Sequence, residues 1–105
     1  IYEGTPTGTG HRVINIRPRD NGISGISLSS KSTLVERRTA VGNGDYGIYA
    51  GYGSTATGNT CYDNGDYGIY LDSYNLVDQN TAYGNTGGNM TACATCEFGT
   101  NVGAP

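Results

Sequence analysis

The amino-acid sequence predicts an all-β solenoid, in which very short strands from successive copies of one unit stack in register. Three observations carry this expectation. A unit of 21 residues recurs along the chain. Within each unit, apolar and polar residues alternate over only three or four positions, which is strand and not helix periodicity. The intervals are filled with Gly, Asn, Asp and Ser, the residues that turns demand. Composition agrees: of 105 residues 18 are Gly, 35% are apolar and 14% are charged. Glycine on this scale opposes a helical bundle. No apolar run approaches the roughly 18 residues of a membrane helix, and no charge excess marks a disordered tail.

The copies can be taken in chain order. Residues 1–12 read as an N-terminal cap or linker remnant, and Val13 to Asn21 as the second half of a first copy. Residues 22–43 form a degenerate copy with one extra residue. Residues 44–64 and 65–85 then match each other at 10 of 21 positions without a gap. The repeat region is therefore 13–85, about three and a half copies. Residues 86–105 leave the pattern and read as an irregular C-terminal cap or tail containing Cys93-Ala-Thr-Cys96. A cap is needed because the last coil of a stack exposes unpaired strand edges.

Each copy yields three strands. The first runs through Gly25–Leu28, Gly47–Ala50 and Gly68–Leu71; the second centres on Val35, Ala56 and Val77; the third is Thr39–Val41, Thr60–Tyr62 and Thr81–Tyr83. A unit this small cannot bury its apolar side alone, so copies must stack at a spacing of about 4.8 Å. The inward columns are then Ile26/Ile48/Ile69, Leu28/Ala50/Leu71, Val35/Ala56/Val77 and Ala40/Cys61/Ala82. Cys61, flanked by alanines in its column, reads as a small buried thiol. Asn21, Asn43, Asn64 and Asn85 recur as a second kind of column, with Asn59 and Asn80 forming another and Arg38 at its earlier place. In-register Asn side chains can bond to one another and to turn amides, so these columns are structural ladders.

The pattern Gly-Ile-x-Leu…Val-x-x-Asn-Thr-Ala-x-x-Asn, repeated at 21 residues, resembles the right-handed parallel β-helix repeat proteins of the pectate-lyase-like superfamily. The resemblance implies a right-handed parallel β-helix of about three and a half coils. That superfamily contains polysaccharide lyases, glycoside hydrolases, uronate epimerases, phage tailspikes, metal-delivery proteins and surface proteins of unknown role. Within it, the residues of this chain are expected to make a non-catalytic extracellular or cell-surface module, structural or polysaccharide-binding. The alternative is a fragment or subunit of a lyase, hydrolase or epimerase. A chain starting at Ile1 is expected to be a piece of a longer β-helix, or to form homo-oligomers through an open end.

Three sets of residues carry candidate chemistry. Tyr49/Tyr70 and Tyr62/Tyr83 alternate outward, with Tyr46/Tyr67 at the preceding turn. Rows of flat rings can stack on sugars, and their hydroxyls can bond sugar hydroxyls. Equally, stacked tyrosines favour strands and cover the outer surface with no ligand involved. Asp45 and Asp66 stack one copy apart with Asp63 close by, a set of oxygen ligands that could take Ca²⁺ and is also ordinary turn chemistry. No other cofactor is implied. Cys93 and Cys96 have the spacing of half a zinc site without a second half, leaving a local structural role, reduced or disulfide-bonded. No catalytic residue is nominated, since His11, Lys31 and the arginines lie apart from the tyrosine-rich turns.

Charge is unevenly distributed. All six basic residues precede position 39, whereas residues 43–105 hold six acidic groups and no basic one. Six cations without an aromatic platform do not suggest a nucleic-acid partner. Gly42-Asn43-Gly44-Asp45-Tyr46-Gly47 matches a dinucleotide fingerprint in letters only, because no helix is expected after it.

Overall fold

A computed structural model describes residues 1, 10–14 and 16–103. Twelve strands, all of two to five residues, make up the regular structure, with no helix among the described residues. They are β1 (Arg12–Ile14), β2 (Ile26–Leu28), β3 (Leu34–Glu36), β4 (Thr39–Val41), β5 (Ile48–Ala50) and β6 (Thr55–Thr57). After these come β7 (Thr60–Tyr62), β8 (Tyr67–Leu71), β9 (Leu76–Asp78), β10 (Thr81–Tyr83), β11 (Gly88–Met90) and β12 (Glu97–Phe98).

β1 pairs in parallel with β3, and from β2 to β9 each strand pairs in parallel with the third strand after it, giving three sheets wrapped around one core. The first sheet is ordered β11-β8-β5-β2, the second β1-β3-β6-β9-β12 and the third β10-β7-β4. The result is a solenoid of about four turns. The expected columns are present: Ile26, Ile48 and Ile69 align, as do Leu28, Ala50 and Leu71. Val35, Ala56 and Val77 align in the second sheet, and Ala40, Cys61 and Ala82 in the third. All twelve side chains are buried. Low apolar content suffices because each short strand contributes only one or two inward side chains to a shared, narrow core.

Three polar columns mark the corners between sheets. The Nδ2 of Asn21, Asn43 and Asn64 donates to the Oδ1 of the next Asn at 2.9, 2.9 and 2.8 Å, ending on Asn85. At another corner the Arg38 amide donates to Asn59 Oδ1 at 2.9 Å, and Asn59 and Asn80 pass the ladder on to Asn101 at 3.0 Å each. The third column is mixed: the Thr33 amide donates to Ser54 Oγ, the Ser54 amide to Asn75 Oδ1, and the Asn75 amide to Cys96 Sγ. Each ladder oxygen thus accepts a turn N–H that has no strand partner. Among the described residues no buried side-chain nitrogen or oxygen lacks a partner, as buried polar groups require.

The corners also set the backbone. The residue just before a ladder position takes a left-handed conformation, as at Arg37 (φ 55°), Gly58 (66°) and Gln79 (56°). The glycines preceding the inward isoleucines have a different origin. A Cβ on Gly47 or Gly68 would sit 2.8 or 2.5 Å from the Nδ2 of Asn64 or Asn85. The ladder needs the room that only glycine leaves.

Residues 86–103, expected to form an irregular cap, instead continue the stack. Met90 pairs with Ile69, Phe98 with Val77, and Val102 bridges to Thr81, all at the 21-residue offset. Geometry persists there although residue identity does not. At the other end Ile1 lies against β2, its carbonyl accepting from the Ser27 amide at 2.7 Å. Residues 2–9 of the expected N-terminal cap, and residues 104–105 of the C-terminal segment, lie outside the described residues.

Candidate functional site

The six tyrosines singled out from the sequence divide into two regions. Tyr46, Tyr49, Tyr67 and Tyr70 form one cluster on the first sheet and the turn leading into it. Tyr49 and Tyr70, on β5 and β8, are stacked with centroids 5.4 Å apart and planes within 8°. Tyr46 leans on Tyr70 at 4.6 Å, and Tyr67 meets Tyr70 edge-on at 6.0 Å. Tyr62 and Tyr83, on β7 and β10 of the third sheet, stack on each other at 5.0 Å and 3°. Such stacking commits one face of each ring to its neighbour, so a row offers less open ring surface than its length suggests.

A groove of about 400 Å³ adjoins the four-ring cluster. It is lined by Tyr49 and Tyr70, by Asp72 and Ser73 following β8, and by the loop 92–95 of the last coil. A disulfide between Cys93 and Cys96 closes that loop. Both sulfurs rest on the Asp72 carbonyl, at 3.1 and 3.5 Å. Cys96 also ends the mixed corner column, so the covalent bridge ties the groove wall to the solenoid. Burial and the Asp72 carboxylate push the Tyr49 phenol above its ordinary pKa. Burial, with Asp45 and Asp66 nearby, does the same for Tyr46. Both phenols therefore remain neutral hydrogen-bond donors at physiological pH.

The remaining candidates separate. Asp66 follows Asp45 in one column, its amide donating to the Asp45 carbonyl at 3.2 Å, while an Asp45 carboxylate oxygen accepts from the Ser24 hydroxyl. Asp63 belongs to the adjacent left-handed column, its φ being 54°. Among the described residues no three His, Cys, Asp or Glu side chains are grouped to hold a metal ion. Cys61 is wholly buried, and burial raises its thiol pKa far above the ordinary value.

One aromatic pair escaped the sequence pattern. Tyr52 and Tyr74 lie at a corner with centroids 5.1 Å apart, tilted by 54°, and Lys31 sits over Tyr52 at 5.5 Å. Their separation of 22 residues hides them from a 21-residue comparison.

Among known protein families, the one described as "right handed beta helix region" matches residues 6–102. The chain belongs to this family. No curated protein and no solved structure matches it. Membership accounts for this β-helix's repeat, its parallel sheets and its hand; the chemistry of the tyrosine face must be argued from its own residues.

Proposed function

We propose that this β-helix is a non-catalytic, extracellular polysaccharide-binding module. The observation that carries the reading is the four-tyrosine cluster beside an open groove, joining apolar ring surface to phenolic donors and exposed polar groups. Sugars need this combination, because their C–H faces pack on aromatic rings while their hydroxyls seek hydrogen bonds. The disulfide supports an oxidising, extracellular setting. In this reading Asp45, Asp63 and Asp66 act as turn acids, and a chelator is expected to leave binding unchanged; loss of binding on chelation would restore them as Ca²⁺ ligands.

Affinity electrophoresis against a polysaccharide panel, with product absorbance followed in parallel, tests this. Retention without turnover is expected. The double variant Tyr49→Ala/Tyr70→Ala should weaken it about tenfold or more, the loss of two aromatic contacts. Release of unsaturated or reducing products would replace the module with a lyase or hydrolase.

A further inference from the structure

The charge around the groove narrows the class of polysaccharide. Residues 43–105 supply six carboxylates and no lysine or arginine. Asp72 is exposed and lines the groove beside Tyr49 and Tyr70. The Asp72 backbone amide donates to the Ala50 carbonyl at 3.0 Å, which fixes the residue while leaving its carboxylate facing solvent. Asp45 and Asp66 add negative charge near Tyr46 at the other side of the ring cluster. A uronate chain laid in the groove would bring its carboxylates against Asp72, while Lys31, held over the Tyr52 ring, does not line the groove. An ammonium-bearing chain would meet both Asp72 and the negative faces of the tyrosines.

We infer that the groove takes a polysaccharide of amino sugars with free, protonated amines, and rejects uronate polymers. This rests on the polysaccharide-binding reading and adds the charge of the ligand to it. The rings supply sugar stacking, Ser73 and Thr95 supply hydroxyl contacts at the groove, and Asp72 supplies the ammonium partner.

The test compares three oligosaccharides of equal length by calorimetry at mildly acidic pH: glucosamine, N-acetylglucosamine and galacturonate hexamers. Hexalysine serves as a fourth probe. The glucosamine hexamer should bind about fivefold more tightly than its acetylated form, a margin in keeping with one exposed charge pair and lost on adding salt. The galacturonate hexamer should not bind. Asp72→Asn should erase the amine preference, so that the two glucosamine oligomers bind alike. A preference that persists in Asp72→Asn, equal binding of galacturonate, or equal binding of hexalysine would each overturn the inference. Equal affinities for the two glucosamine oligomers, still lost in Tyr49→Ala/Tyr70→Ala, would remove the charge selectivity and leave the polysaccharide site standing. Failure of all three sugars would remove both.

Discussion

The two tyrosine regions arise from the same repeat and differ in what surrounds them. Tyr62 and Tyr83 form an isolated stack on the third sheet. Tyr49 and Tyr70 make an equivalent stack on the first sheet, but Tyr46 and Tyr67 join it and a disulfide-closed loop turns its flank into a groove. A column of aromatic rings is thus what stacking in register produces by default. The groove lies where the last coil, which keeps the period and changes its residue types, meets that column. Period builds the scaffold, and the change of residue types in the last coil shapes the candidate site.

The comparison can be broken first at the corner shared by both regions. The Asn64 side chain accepts from the Asn43 amide and Nδ2 and donates to the Ala40 carbonyl, all in the interior. Asn64→Ala should cost about 2–4 kcal/mol, because buried partners are left unpaired. Denaturant unfolding should show this loss, with the signals of both tyrosine regions moving together. Separate transitions would mean that the coils do not share one cooperative core.

A smaller effect should separate the regions. Cys96→Ser removes the bridge across loop 92–95 and should lower stability by about 1–2 kcal/mol, as expected for a very short closed loop. It should weaken glycan binding while leaving the Tyr62/Tyr83 stack untouched, as seen in ring proton shifts. The smallest effect is alkaline. Tyr46 and Tyr49 have folded pKa values raised above 10.0. The unfolded chain therefore loses these protons first, so stability is full below that pH and declines as pH rises through it. Tyrosinate absorbance should show a late component that Tyr49→Phe diminishes.

The solenoid was legible because its columns repeat residue types: isoleucine over isoleucine, asparagine over asparagine. The mixed corner column was not, since Thr33, Ser54, Asn75 and Cys96 share a role at one position without sharing chemistry. Residues 86–105 leave the period in sequence for the same reason: Met90 replaces Ile, and Phe98 replaces Val, in positions the backbone still repeats. Tyr52 and Tyr74 were hidden by a one-residue offset. The groove was invisible because its wall, loop 92–95, follows 71–74 at the 21-residue offset but shares none of that turn's residue types. Four of the six tyrosines follow from alternation and Tyr46/Tyr67 from the repeating turn, but neither signal names a neighbour, so the split into four and two came only with the third dimension.

The chain has no tryptophan, so its intrinsic fluorescence is that of its tyrosines. Titrating glucosamine hexamer against that emission, in wild type, Tyr49→Ala/Tyr70→Ala and Tyr62→Ala/Tyr83→Ala, tests the account most directly. A saturable change is expected in wild type and in the Tyr62/Tyr83 variant, and its loss in the Tyr49/Tyr70 variant. A saturable change that survives removal of Tyr49 and Tyr70, or vanishes with Tyr62 and Tyr83, would contradict it.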